Sequence, residues 1–334
     1  MLRPAAHMVG RFFNYELLNR AFIDLVDGST FGSKMPRASW EFVGGMPLCV
    51  PPTDEQAAIA AFLDRETAKI DALIAEQERL IQLLTEKRQA VVSLAVTKGL
   101  NPKVPTKPSG IEWLGDVPAH WQVEPLKRSV TRLEQGWSPQ CESEPAAEGA
   151  WGVLKVGCGN ADSFNPTEQK ALPSDVVPLP QYEVRTGDIL MSRGNTLELV
   201  GLATFINNVR PLLLLSDLLY RFRPRPERAD GEFLVFALRS PNLRHQIERE
   251  ATGASASMKK IGQGTIRDLV VALPPLDEQL AVVSFIKSRT RALDTLSAEA
   301  RHVIDLLHER RAALISAAVT GQIDVRGLVP SKAA

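Results

Sequence analysis

The sequence predicts an α+β protein in which a mixed α/β domain is inserted between two long α-helices that pack as an antiparallel coiled coil. Three observations carry that prediction. The stretch Pro51 to Thr97 is repeated from Pro274 to Thr320, with roughly 22 of 47 positions identical at a shift of about 223. After the opening prolines, both copies run free of proline and glycine while keeping an apolar period of about 3.5 residues. The intervening segment holds short β-type runs punctuated by glycine turns.

Each long helix opens on the same phrase, Pro51-Pro52-Thr53-Asp54-Glu55-Gln56 and Pro274-Pro275-Leu276-Asp277-Glu278-Gln279. The prolines block helix upstream, and Thr53 with Gln56 matches a capping box. Leu276 replaces Thr53 in the second copy, so Asp54 and Asp277 are the shared N-cap candidates, and Gly99 supplies the first stop. About 44 residues at 1.5 Å each give a rod of roughly 65 Å. The expected seam is Ile59, Leu63, Ile70, Leu73, Leu80, Leu84 and Val91 facing Val282, Ile286, Leu293, Leu296, Val303, Leu307 and Leu314. Glu66 and Arg289 interrupt it at the same place in both copies and are expected to set register.

Residues 1–50 read as the remnant C-terminal part of a first domain, with one amphipathic helix from Phe12 to Leu25, a Gly28–Gly32 loop and a strand over Phe42–Val50. An echo supports this: Met35 and Met258 fall at the same shift as the helices. The first long helix covers 51–99, and a linker follows over 100–112, where three prolines in Asn101–Gly110 argue against regular structure. The complete inserted domain spans 113–273. Strands are expected at Trp151–Val156, Asp188–Ser192, Leu199–Phe205 and Leu218–Phe222, and one helix at Glu232–Glu250. The second long helix covers 274–321, and 322–334 forms a flexible C-terminal tail.

Composition is that of a globular protein, 44% apolar and 23% charged, with zero formal net charge. No apolar run spans a membrane, no signal peptide opens the chain, and three scattered cysteines form neither a disulfide framework nor a zinc site. A cytoplasmic location is therefore expected. Catalytic motifs are missing as well. There is no phosphate-binding Gly-Lys-Ser/Thr loop, Gly157-Cys158-Gly159 lacks the rest of a dinucleotide fingerprint, and Asn165-Pro166-Thr167 lacks the second proline and aromatic of an adenine methyltransferase.

Charge is more informative. The inserted domain is acidic in its first half and basic in its second, with Arg221, Arg223, Arg225 and Arg228 clustered after a strand. Met258-Lys259-Lys260-Ile261-Gly262-Gln263 adjoins a loop rich in glycine and serine that would allow close approach to a phosphate. Arg193, Asn195, Ser257, Lys259, Lys260 and Gln263 are the candidate DNA contacts, weighed against a plain solvated surface, because Lys and Arg neutralise phosphates, Arg, Lys, Asn and Gln read base edges, and a serine- and glycine-rich loop admits a phosphate.

The doubled helix opening, the segment Gly115-Asp-Val-Pro118-Ala-His-Trp121, the turn Gly187-Asp188-Ile189-Leu190 and the Gly253 loop before the second Pro-Pro together resemble the specificity subunits of type I restriction–modification enzymes. The resemblance covers nearly the whole chain. It implies that 113–273 is a target-recognition domain reading one half of a bipartite site in double-stranded DNA. It also implies that the helices dock modification (methyltransferase) subunits, with a restriction/translocase subunit joining for cleavage. The chain itself would hold no cofactor and do no catalysis; S-adenosylmethionine, ATP and Mg2+ would be bound by partner subunits. Members carry two recognition domains. One is complete here, so the resemblance implies a truncated or half-type subunit that could self-associate, with helices spanning at most roughly 19 base pairs. The rival expectation is a truncated scaffold or antagonist that binds the modification subunits through its coiled coil without reading DNA.

Overall fold

The computed structural model describes residues 7–141, 143–253 and 258–328. Among these described residues eight α-helices follow in order: α1 Gly10–Leu17, α2 Arg20–Gly28, α3 Trp40–Gly44, α4 Thr53–Lys98, α5 Gly231–Leu238, α6 Pro241–Glu250, α7 Gln263–Asp268 and α8 Leu276–Val319. Residues 1–85 and 293–334 form one compact unit, and 86–292 form another.

In the first unit, α1 lies on the opening turns of α4. Phe12, Tyr15, Ile59, Phe62 and Leu63 share a core with Ile315, Ala318 and Val319 near the end of α8. The start of one long helix thus meets the end of the other, which is antiparallel packing. The Tyr15 hydroxyl donates to Asp64 at 2.7 Å, and Arg11 pairs with the same carboxylate at 2.6 Å. Arg311 reaches Asp71 at 3.1 Å. Val325 is buried in this core and Arg65 donates to the Leu328 carbonyl at 2.7 Å, so residues 322–328 fold back rather than forming a free tail.

The second unit holds the β structure. Its strands are β1 Thr106–Pro108, β2 Asp116–Pro118, β3 Gln122–Pro125, β4 Glu134–Gln135, β5 Gly152–Leu154, β6 Gln169–Ala171, β7 Ile189–Ser192, β8 Gly194–Asn195, β9 Ala203–Phe205, β10 Leu213–Leu214, β11 Leu219–Phe222, β12 Lys259–Lys260 and β13 Val270–Leu273. An antiparallel sheet β4-β11-β7-β9 packs on α5, α6, the last turns of α4 and the first turns of α8 through Val92, Val96, Met191, Phe222, Phe233, Val282 and Ile286. A mixed sheet β10-β5-β6 closes the far side over Leu154, Ile206 and Leu213. Two-stranded ribbons β12–β8, β13–β3 and β1–β2 complete the unit. Gly136 is a packing requirement, because a Cβ there would lie 2.1 Å from the Leu215 carbonyl oxygen.

Both long helices begin on a proline carbonyl: the Gln56 N–H donates to Pro52 and the Gln279 N–H to Pro275. Asp54 and Asp277 therefore sit inside the first turn, and no capping box forms. The glutamine side chain instead turns back. The Gln56 amide accepts from the Val9 N–H at 2.7 Å and donates to Pro51 and His7. The Gln279 amide accepts from the Asp230 N–H at 2.8 Å and donates to Pro274 and Arg228. The likeness extends upstream. Helix starts at Gly10, Arg20 and Trp40 before the first long helix recur as Gly231, Pro241 and Gln263 before the second.

Several local expectations are corrected. The single helices expected at Phe12–Leu25 and Glu232–Glu250 are each two. Asn19 caps a new helix by accepting the Ala21 N–H, and Pro241, which lacks an N–H and would clash with the preceding turn, opens another. Phe42–Val50 holds the end of α3 and irregular chain, not a strand. The proline-rich linker contains β1, paired with β2.

The helix seam is shifted by one residue at alternate positions. Leu73, Leu80, Leu296 and Val303 are 45, 41, 48 and 40% exposed, while Ile74 is buried and Ile81 and Ile304 are half-buried. The buried line runs through Ala60, Leu63, Thr67, Ile70, Ile74 and Leu84, and through Val283, Ile286, Thr290, Leu293 and Ala300. Ile59 and Val282 are also buried; Val91, Leu307 and Leu314 are half-buried. Paired apolar residues such as Leu73-Ile74 and Leu80-Ile81 satisfy either phase, so periodicity alone could not choose. Glu66 and Arg289 fall outside the seam. Glu66 pairs with Arg65 and Lys69, and Arg289 lies over the Phe285 ring.

Glu16 is buried among apolar residues of the first unit, and its Oε1 has no hydrogen-bond partner among the described residues. Burial pushes its carboxyl up to about 7. The folded pKa lies above the unfolded one, so the folded chain binds more protons, and stability falls as pH rises from about 4.5 to about 7. Glu16→Gln should flatten that slope and raise the melting temperature at pH 8 more than at pH 5, as read by calorimetry.

Candidate nucleic-acid interface

The ribbon β8–β12 gathers four of the six residues expected to contact DNA. Lys259 stands opposite Asn195 and Lys260 opposite Gly194. Cross-strand partners share a face, so Asn195 and Lys259 project together while Lys260 projects from the other side. Lys259 and Lys260 are thus strand residues rather than one loop-borne clamp. Arg193 anchors the ribbon by its backbone: its N–H donates to Leu218 at 2.8 Å, and its carbonyl accepts from Ile261 at 3.0 Å. Its guanidinium lies 3.4 Å from the Asp217 carbonyl, which leaves it largely turned inward.

Local geometry explains the ribbon's shape. Gly253 has φ +135°, a conformation open to glycine, and a Cβ there would lie 2.7 Å from the Met258 carbonyl oxygen. Thr252 and Lys260 exchange backbone hydrogen bonds at 2.9 and 2.8 Å. The Lys259 ammonium donates to the Gly253 carbonyl at 2.6 Å, so that charge also ties the turn together. Lys260 is exposed with no acceptor for its ammonium among the described residues. Gln263 begins α7, off the ribbon, and Ser257 lies outside the described residues.

The arginine cluster in and after β11 is occupied by the protein itself. Arg221 pairs with Glu134 at 2.5 Å and also donates to the Glu183 and Gln181 carbonyls. Arg223 meets the fully buried Asp188 at 2.5 Å, Arg228 meets the buried Glu124 at 2.8 Å, and Arg225 donates to the Val130 carbonyl. These arginines brace strands. Asn160, by contrast, was not singled out from the sequence. It follows a short 3-10 turn at Val156–Gly159, and its side chain meets Asn195 at 3.2 Å. Only the proximity of the turn to β8 brings it to the ribbon, and no sequence spacing encodes that.

Among the described residues no cluster of His, Cys, Asp or Glu could hold a metal ion, and no helix is long and apolar enough to cross a membrane. Burial pushes the Cys158 thiol up to about 12, which keeps it an unreactive core residue.

No protein-family profile matches the chain. It is 30% identical over 217 residues to the EcoEI specificity subunit, a type I restriction enzyme component of Escherichia coli, covering 64% of this chain and 36% of that protein. It is 25% identical over 332 residues to the EcoKI specificity subunit of Escherichia coli strain K12, covering 97% of this chain and 68% of the relative. The chain therefore spans about a third of the first relative's length and about two thirds of the second's. A chain from a solved structure concerned with complex assembly and conformational transition of the type I R-M system matches its fold with a TM-score of 0.61 at 18% identity, over 95% of this chain and 72% of that one.

The occupied arginines generate a stability prediction. Asp188→Ala strips the acceptor from Arg223 and from the Arg185 N–H. Since Arg223 is half exposed and can regain solvent, the loss should be about 2 kcal/mol in urea denaturation.

Proposed function

We propose that this relative of the type I restriction enzyme specificity subunits is the DNA-reading, non-catalytic member of a restriction–modification assembly. In this reading residues 113–273 recognise one half of a bipartite site. The observation that carries it is the β8–β12 ribbon. It presents Asn195 and Lys259 on one face and, on the other, an exposed Lys260 with no acceptor among the described residues, while the neighbouring arginines are spent on structure. A two-stranded ribbon fits the major groove, where an amide can read base edges and an ammonium can neutralise phosphate.

Partner docking rests on a second feature, confined to the first unit. Leu73, Leu80 and Leu83 on α4 and Leu296, Val303 and Leu306 on α8 are exposed apolar residues at equivalent places in the sequence repeat. Two of the three pairs are identical leucines. Exposed apolar stripes of this kind are protein-contact surfaces, and their duplication supports two copies of one partner, the modification subunit. S-adenosylmethionine, ATP and Mg2+ would then be held by the modification and restriction/translocase subunits, with this chain supplying address rather than chemistry.

Two measurements test the reading. In gel-shift titrations against salt, Lys260→Ala should reduce the slope of log affinity by about one unit without changing which duplex is preferred. An unchanged slope removes Lys260 from the interface, and an affinity that does not depend on salt contradicts DNA reading. Leu73→Glu with Leu296→Glu should abolish co-purification of the modification subunit while leaving DNA binding intact; retained co-purification rejects the stripe as its dock.

A further inference from the structure

We infer that the side-chain amide of Asn160 reads a base as a hydrogen-bond donor and so selects an acceptor-bearing major-groove edge, guanine O6/N7, thymine O4 or adenine N7, against cytosine. The inference rests on the DNA-reading role proposed above and adds a residue to it. The orientation of the amide follows from its neighbours. The Asn195 Oδ1 accepts from the Thr196 N–H at 2.9 Å, which only an oxygen can do, so the Asn195 Nδ2 must be the atom facing Asn160. That nitrogen donates to the Asn160 Oδ1 at 3.2 Å. With its oxygen turned into this contact, Asn160 presents its Nδ2, a half-buried amide with no protein partner among the described residues.

The support beneath Asn160 is rigid. Its backbone N–H donates to Gly157 at 3.1 Å, the adjacent Cys158 is fully buried, and the Cys158 carbonyl accepts from the Asn165 N–H at 2.8 Å. A Cβ on Gly159 would lie 3.1 Å from the Thr204 Cγ2, so the turn sits closely against β9. Base readout needs a side chain held in this way, whereas phosphate contacts tolerate a mobile ammonium. Asparagine usually reads adenine with its oxygen and nitrogen together. Here one lone pair of the oxygen is taken by Asn195 and the Nδ2 is the atom left foremost, and a donor finds an acceptor on guanine, thymine or adenine but not on cytosine.

The test is selection of sites from a randomised duplex pool by the full chain, comparing wild type with Asn160→Asp and Asn160→Ala, each checked for wild-type melting by circular dichroism. Wild type should enrich a motif in which one position is depleted of cytosine. Asn160→Asp, an acceptor, should shift that position toward cytosine, and Asn160→Ala should lose discrimination there by roughly tenfold. A wild-type motif retained by both folded Asn160 variants overturns the assignment and leaves DNA reading intact. If Asn160→Asp does not fold, Asn160→Ala alone decides on the same criterion. Failure of the wild type to enrich any motif overturns the DNA-reading role and this inference with it.

Discussion

A buried glutamine near the start of each long helix is the constraint on which the rest of the structure depends. Gln56 and Gln279 are 1 and 0% exposed, and an amide buried so deeply must have every polar atom answered. Each is answered by the same three groups: the first proline of the Pro-Pro pair, and a carbonyl and an N–H from the residues leading into a short helix. The clamp holds that short helix against the long one. It also sets the rotation of each long helix, and with it the phase of the buried line from Ala60 to Leu84. A hydrophobic seam alone, with apolar residues at adjacent positions, would leave that rotation open.

The inserted domain shows a second economy, in charge. Arg221, Arg223 and Arg228 are each opposed by a carboxylate, two of them buried, so the basic second half of the domain is largely internal bracing. At the ribbon, the described residues offer a ligand an exposed ammonium at Lys260, a partly engaged one at Lys259, and two amides at Asn195 and Asn160. A few fixed amides beside a few mobile cations are what sequence-dependent binding of a polyanion asks for, with cations giving affinity and amides giving choice.

Repetition made much of the fold legible. The doubled Pro-Pro phrase and the 3.5 period gave both long helices nearly to the residue, and the glycine turns located the strands around Ile189 and Leu219. What stayed hidden was hidden for physical reasons. Pro241 divides what apolar spacing read as one helix, and the seam phase was ambiguous wherever two apolar residues stand side by side. At the candidate site, Lys259, Lys260, Arg193 and Asn195 could be picked by residue type. Their pairing across a ribbon, and the approach of Asn160, depend on strand register between segments far apart in the chain.

The role proposed for this chain is to supply sequence address to a DNA-modifying assembly. Methylation-sensitive sequencing of the source genome, with the gene intact and deleted, tests it most directly. One methylated bipartite motif should disappear on deletion and return when the intact gene is restored. A methylation pattern identical with and without the gene would contradict it.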